Sequence, residues 1–335
     1  MARRDGPRAE RGRGRRGLRR RHRSALPDAA CRRWLPDCHL LSARWGRIVK
    51  RAVAVIPARN EADRLPIALA SLRREGLAAL VVANGCTDAT AELARAEGAA
   101  VIETPALAGG VGAARAIGLE AALDREARIL FTTDADCMLA PGSVATALRA
   151  LDYADVVFGR VVPDATEFAS LPEPVQRHGA AEDRCDCLRA LIAAILAKRP
   201  WDPFPAHGQS PGALIAWHAS AYRAVGGINP VSCHEDRRMA AALIGHGLRV
   251  ARPWDAVVVA SCRLRGRAPG GMADTIAERS LAGARLTDEA VTLERECASL
   301  ERRLAELMPR ASWPNLPNLS PKGDDDVPSF QQASV

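Results

Sequence analysis

Residues 128–137 read RILFTTDADC, and the fold reading grows outward from that stretch. Arg128 to Thr132 is a short apolar run bounded by polar residues, the pattern of a buried strand. It closes on Asp134, Ala135 and Asp136. Three similar strands precede it. Residues 51–56, RAVAVI, are stopped by Pro57; residues 79–82, ALVV, are stopped by Asn84 and Gly85; residues 99–102, AAVI, form the third. Helical spacing fills the gaps. One helix is predicted over Leu65 to Arg74 and another over Ala89 to Glu97, where Gly98 suits the position after the last turn. Gly109, Gly110 and Gly112 open a third helix running to about Asp124, and Pro141 suits the first turn of a fourth.

Strands alternating with helices at this spacing predict a mostly parallel central sheet flanked by helices, joined by right-handed crossovers. Ligands of such sheets bind beyond the carboxyl ends of the strands. Asn60 and Glu61 follow the first strand, Asn84 the second, the glycines the third, and Asp134 and Asp136 the fourth, so all should meet on one rim. Farther on the pattern loosens. A strand is expected over 155–159, a helix over about 181–198, a Pro-rich stretch over 200–211, and strands over 213–216 and 257–260. Apolar residues at 286, 290, 293, 297, 300, 304 and 307 keep a four-three spacing. A homodimer through a coiled coil over 286–307 and docking onto the chain's own surface are both open. No internal repeat is visible.

The chain has 335 residues, 48% hydrophobic and 4% aromatic, enough for one large domain with appendages whose core rests on Ala, Val, Leu and Ile. Its net charge of +8 is unevenly spread: residues 1–50 carry +12, leaving −4 for the rest. The basic arm reads as a solvated tail, since no aromatic or motif context supports RNA binding, so no nucleic-acid partner is expected. The expected organisation is a disordered arm over 1–48, a catalytic domain over 49–275, a helical extension over 276–309 and a disordered tail over 310–335. Nine cysteines, an odd number with no Cys-x-x-Cys, argue against a disulfide framework and for thiols in a reducing cytoplasm. No apolar run approaches the roughly 18–20 residues of a membrane span. The expected location is the cytoplasm, with peripheral contact at the inner face of a membrane left open.

Asp134 and Asp136 carry the strongest chemical signal. Two carboxylates leaving a buried strand can share a hard divalent cation, Mn²⁺ or Mg²⁺, with a diphosphate. Pro57, Ala58, Arg59 and Glu61 would form a wall for a nucleotide, although Asn60 beside them also suits an ordinary helix cap. Asn84 offers a donor and an acceptor to a pyrimidine edge, or simply a tight turn. The glycines before Arg115 permit close approach of a phosphate. Glu235 and Asp236 begin a helix, where acids are favourable in any case and where one carboxylate can serve an acceptor hydroxyl as general base. Arg263, Arg265 and Arg267 lie on a Gly-rich loop suited to closing over phosphates.

In this order, VAVIPARNEADRL, VVANGCTDAT, GGVGAARAIGLEAA, FTTDADC and GGINPVSCHEDRRMAAAL resemble family 2 glycosyltransferases, inverting enzymes of the GT-A fold, over residues 53–243. The resemblance implies a GT-A-like α/β fold and metal-dependent transfer of a sugar from a nucleotide-sugar donor to an acceptor hydroxyl, a hexosyltransferase-type reaction. It implies Asp134 and Ala135 at the donor, Asp134 and Asp136 toward the metal, and Asp236 as base with Glu235 beside it. Arg115 joins the donor-binding set. The family usually has acidic residues where Ala83 and Asn84 stand, which leaves the donor base open, and no Gln-x-x-Arg-Trp motif follows. A sugar nucleotidyltransferase would want a Gly-rich basic loop after the first strand, where residues 57–61 read PARNE. A non-catalytic nucleotide-sugar-binding protein of the same fold is the third reading, and the presence of Asp134, Asp136 and Asp236 weighs against it.

Overall fold

The computed structural model describes residues 52–228, 235–267 and 270–317, without the side chains of residues 235–237. The Arg-rich arm expected over 1–48 and most of the tail expected over 310–335 lie outside the described residues. The first half alternates as read: β1 (Ala52–Ala58), α1 (Leu65–Arg74), β2 (Ala78–Asn84), α2 (Thr90–Ala96), β3 (Ala100–Thr104), α3 (Gly110–Asp124) and β4 (Ile129–Thr133). Then come β5 (Cys137–Leu139), α4 (Ser143–Ala150), β6 (Val156–Phe158), β7 (Arg160–Pro163), α5 (Ala165–Ala169) and α6 (Glu173–Ala197). The last part holds β8 (Leu214–His218), α7 (Ala219–Ala224), α8 (Glu235–Gly245), β9 (Val250–Ala251), β10 (Val257–Ala260), α9 (Met272–Leu281) and α10 (Gly283–Leu307).

Among the described residues seven strands form the main sheet in the order β3-β2-β1-β4-β8-β6-β9. β3, β2, β1 and β4 are parallel; β8 runs antiparallel to both β4 and β6, and β6 pairs in parallel with β9. The expected α/β architecture, a mostly parallel sheet flanked by helices, is what the chain adopts. A second, smaller sheet has the order β5-β10-β7; of its strands the sequence reading has only β10, expected over 257–260.

β1 shows why the sheet is covered on both faces. Val53, Ala54, Val55 and Ile56 are all fully buried, and successive side chains of a strand point to opposite faces. Val53 and Val55 join Leu80, Val82 and Leu119 in one core. Ala54 and Ile56 join Leu65, Leu69, Leu72 and Phe131 in the other. Burying each such Leu or Ile contributes about 1.5–3 kcal/mol. Gly118 lets α3 press against the sheet, because a Cβ there would lie 2.3 Å from Val55 Cγ1.

The C-terminal helices settle the coiled-coil question. α10 lies along α6, and Arg177–Glu294 and Arg184–Glu301 pair at 2.6 and 2.7 Å. Both partners advance together between the two pairs, so the helices run in the same direction. Leu286, Ala290, Cys297 and Leu304 are buried, and Leu293 and Leu300 pack against the cluster between the two helices. The apolar stripe of 286–307 is thus spent within the chain, which corrects the homodimer reading in favour of self-docking. A second correction concerns the cysteines: Cys185 of α6 and Cys297 of α10 form a disulfide with Cα atoms 5.0 Å apart. Their separation of 112 residues hid the pair from any local spacing rule. Helix α6 also starts eight residues before the predicted 181, after Pro172. Among the described residues, no helix is long and apolar enough to cross a membrane.

Candidate active site

The loops after β1 and β2 are stitched together beyond the sheet. Asn60 has a left-handed φ of 54°, which Asn tolerates, and its Oδ1 accepts from Thr87 N at 2.8 Å. Asp88 accepts from Ala62 N at 3.2 Å and from Thr90 N at 3.1 Å, while Thr90 Oγ1 accepts from Glu61 N at 2.9 Å. These bonds fix the backbone of Glu61, whose residue is only 4% exposed. Pro57 and Ala58 are buried, and Arg59 is exposed at the lip.

Asn84, expected at a nucleotide base, has both amide functions engaged within the chain. Its Oδ1 accepts from Leu107 N at 2.9 Å and its Nδ2 donates to Gly110 O at 3.3 Å. It pins the β3–α3 loop against the end of β2. Beside it Gly85, at φ 61°, leaves room for Ala106, whose Cα would meet a Cβ at 2.8 Å.

After β4, Asp134 Oδ1 accepts from Arg115 Nη2 at 2.5 Å. Arg115 comes from α3 and is 1% exposed, whereas the Asp134 side chain is 33% exposed. The guanidinium therefore sits behind the carboxylate and orients it, and the open surface belongs to Asp134. Ala135 is buried.

Asp136 meets Arg263 from the loop after β10 at 2.8 Å. The same guanidinium donates to both oxygens of Glu61, at 2.8 and 2.5 Å. Burial pushes the Asp136 carboxyl up to about 6, against the pull of Arg263 and with Asp134 and Glu61 adding to the rise. The ends of β1 and β4 thus deliver Glu61, Asp134 and Asp136 to one charged patch with Arg115 and Arg263. Arg267 of the same loop donates to Asn60 O.

The loop's base rests on a residue the sequence did not single out. Glu167 of α5 accepts from Cys262 N at 2.7 Å and from Ser261 Oγ at 2.8 Å, and it pairs with Arg64. These partners lie far apart in sequence, and no local pattern marks them. Glu235 and Asp236 open α8; their side chains fall outside the described residues.

Among the described residues no group of three His, Cys, Asp or Glu side chains is arranged to hold a metal ion. Asp134 and Asp136 still suit a hard cation. They offer oxygen ligands beside an open rim, a cationic guanidinium already stands on Asp136, and Mg²⁺-like ions take most of their shell from phosphate and water.

Comparisons with known proteins agree with this picture. Residues 53–182 match the family model described as Glycosyl transferase family 2. A protein of Methanocaldococcus jannaschii, named "Uncharacterized protein MJ1222", is 31% identical over 121 residues, which is 35% of this chain and 49% of that protein, so the chain spans about half of its relative's length. Among solved structures, the mannosyltransferase PcManGT of Pyrobaculum calidifontis, in complex with GDP-Man and Mn²⁺, aligns with a TM-score of 0.46 and 19% identity, covering 83% of this chain and 85% of that one. TarS 1–349 of S. aureus, in complex with UDP, gives 0.46 and 13%, covering 78% and 73%. The glucosyl-3-phosphoglycerate synthase of M. tuberculosis gives 0.41 and 18%, covering 74% and 81%. Over residues 53–182 the resemblance read from the motifs is matched by the Glycosyl transferase family 2 model.

Proposed function

We propose that this chain is a metal-dependent, inverting glycosyltransferase of the hexosyltransferase type, taking a nucleotide-sugar donor and an acceptor hydroxyl. The observation that carries the reading is the convergence of Glu61, Asp134 and Asp136 from two parallel strand ends onto one rim. Three carboxylates and an Arg-bearing loop at the carboxyl edge of a sheet suit a dianionic diphosphate bridged by a cation. The donor's nucleoside would lie along Pro57, Ala58, Arg59 and Glu61, with Asn84 shaping that wall through its bonds to Leu107 and Gly110, and Asp134 and Asp136 would hold Mn²⁺ or Mg²⁺ beside the diphosphate. When bound, the cation supplies charge neutralisation to the departing nucleoside diphosphate.

The chain's own residues do the remainder. Arg115 holds the Asp134 carboxylate in place from behind. Asp236, with Glu235 next to it, takes the proton from the acceptor hydroxyl at the start of α8, and that oxygen attacks the anomeric carbon from the face opposite the diphosphate. The positive end of α8 favours the ionised form of the base. Peripheral membrane contact stays a proposal that rests on the Arg-rich arm. The Cys185–Cys297 bridge removes two of the thiols on which a reducing cytoplasm was expected.

Asp236→Asn provides the test. The variant should lose transfer by at least about a thousandfold, the scale of a positioned general base, and keep the wild-type affinity for the nucleoside diphosphate. Retained transfer, or loss of nucleotide binding together with transfer, overturns the assignment.

A further inference from the structure

Arg263 bridges carboxylates from two different strand ends. Its two terminal nitrogens grip both oxygens of Glu61, at 2.8 and 2.5 Å, and one of them also meets Asp136 Oδ2 at 2.8 Å. The Glu61 side chain is 5% exposed and that of Arg263 16%, so the cluster is largely enclosed. Three segments meet in it: the β1–α1 loop, the β4–β5 turn and the loop after β10. The base of that loop is anchored through Ser261 and Cys262 to Glu167, while residues 264–267 stand exposed beyond it. Beyond Arg263 this stretch is tied back only through Arg267, which donates to Asn60 O. Arg263 also walls a cavity of about 480 Å³ with Arg64, Glu167, Leu171, Leu264 and Arg265.

We propose that Arg263 is a placeholder cation that exchanges partners when the donor arrives. Its guanidinium offsets part of the charge of Glu61 and Asp136. A divalent cation at Asp136 competes with and repels a guanidinium 2.8 Å from the same carboxylate, and unlike Arg115, which is 1% exposed behind Asp134, Arg263 has a neighbouring cavity into which it withdraws. Its planar fork of donors fits phosphate oxygens as well as it fits carboxylates. On leaving Asp136 it binds the diphosphate that accompanies the metal. The residue thus opposes binding of the bare cation and favours binding of the cation together with a nucleoside diphosphate, which ties cation occupancy to donor occupancy. This inference rests on the donor site proposed above.

The test uses the full chain, its wild-type form, Arg263→Gln and Arg263→Lys. MnCl₂ alone is titrated by calorimetry and by electron paramagnetic resonance, and UDP and GDP are then titrated in saturating MnCl₂. The expected result is a change of opposite sign: Arg263→Gln binds Mn²⁺ alone at least about tenfold more tightly and the nucleoside diphosphate at least about tenfold more weakly, with Arg263→Lys between it and the wild type. Changes in the same direction, or unchanged affinities, overturn the exchange. A general loss of folding weakens both affinities and therefore counts against it too. If wild-type protein binds neither nucleotide with Mn²⁺, the donor reading fails and takes this inference with it, a pattern distinct from failure of the exchange alone.

Discussion

Arg115 gives the sharpest quantitative expectation. Its side chain is 1% exposed and donates to Asp134 Oδ1 at 2.5 Å, and its guanidinium packs closely under Gly212, where a Cβ would lie 2.9 Å from Nη1. Arg115→Met keeps a long apolar stem in that space and removes the charge. A hydrogen bond between charged groups contributes about 1.5–3 kcal/mol. Breaking a wholly buried ion pair costs about 3–5 kcal/mol because a charge is left stranded. The Asp134 side chain keeps 33% of its exposure, so water takes up the released carboxylate and the loss should fall at about 2–3 kcal/mol. Urea unfolding at neutral pH measures it as a lowered midpoint at constant slope. Asp134→Asn and the double variant complete a cycle, with an expected coupling of about 1.5–3 kcal/mol. Nucleotide affinity should fall as well, since Asp134 loses the group that aims it. A coupling near zero with unchanged nucleotide affinity would refute the claim that Arg115 positions Asp134.

Two further expectations concern the region around α6. Burial raises the Asp183 carboxyl to about 6; a group raised on folding favours the folded state when protonated, so stability should increase as pH falls from about 7 through 6 toward 4. Asp183→Asn should remove that dependence and stabilise the protein by about 1–2 kcal/mol at pH 7.5, less than the roughly 3 kcal/mol that two pK units imply, because Asp183 keeps partial solvent contact; equal melting shifts at pH 4.5 and 7.5 would count against it. Cys297→Ser opens a link across 112 residues, for which chain-entropy reasoning gives about 4–5 kcal/mol as an upper expectation. Thermal unfolding should show a clear loss that matches the loss wild type suffers in reductant, and a variant as stable as oxidised wild type would contradict the bridge's stabilising role.

The parallel half of the sheet was legible because its signals are local. Each of β1 to β4 is a mainly apolar run followed by a polar or turn-forming residue, Arg59, Gly85, Pro105 or Asp134; β1 runs one residue past the Pro57 expected to stop it, and each intervening helix has its own periodicity, so positions came out within a residue or two. The reversal at β8 was not legible: Leu214 to Trp217 is as apolar as β1, and nothing in such a run tells which way it enters the sheet. β5, β7 and β9 are at most four residues long and owe their existence to partners distant in the chain. In the site, Asp134 and Asp136 showed themselves by position after a strand. The roles of Glu61 and Arg263 in one cluster did not, since they lie about two hundred residues apart. Asn84 reads equally as a pyrimidine contact or a tight-turn residue, and its amide holds Leu107 and Gly110. The apolar stripe of α10 was legible as a stripe, while its partner, α6, required the fold.

The most direct test of the central claim is calorimetric titration of the full chain with UDP, GDP, CDP and dTDP, each in Mn²⁺ and in EDTA. The account predicts that one of these binds, at least about tenfold more tightly with Mn²⁺ than with EDTA, and that this nucleotide names the donor class. Binding of none of them, or binding that EDTA leaves unchanged, would contradict a metal-dependent donor site at Asp134 and Asp136.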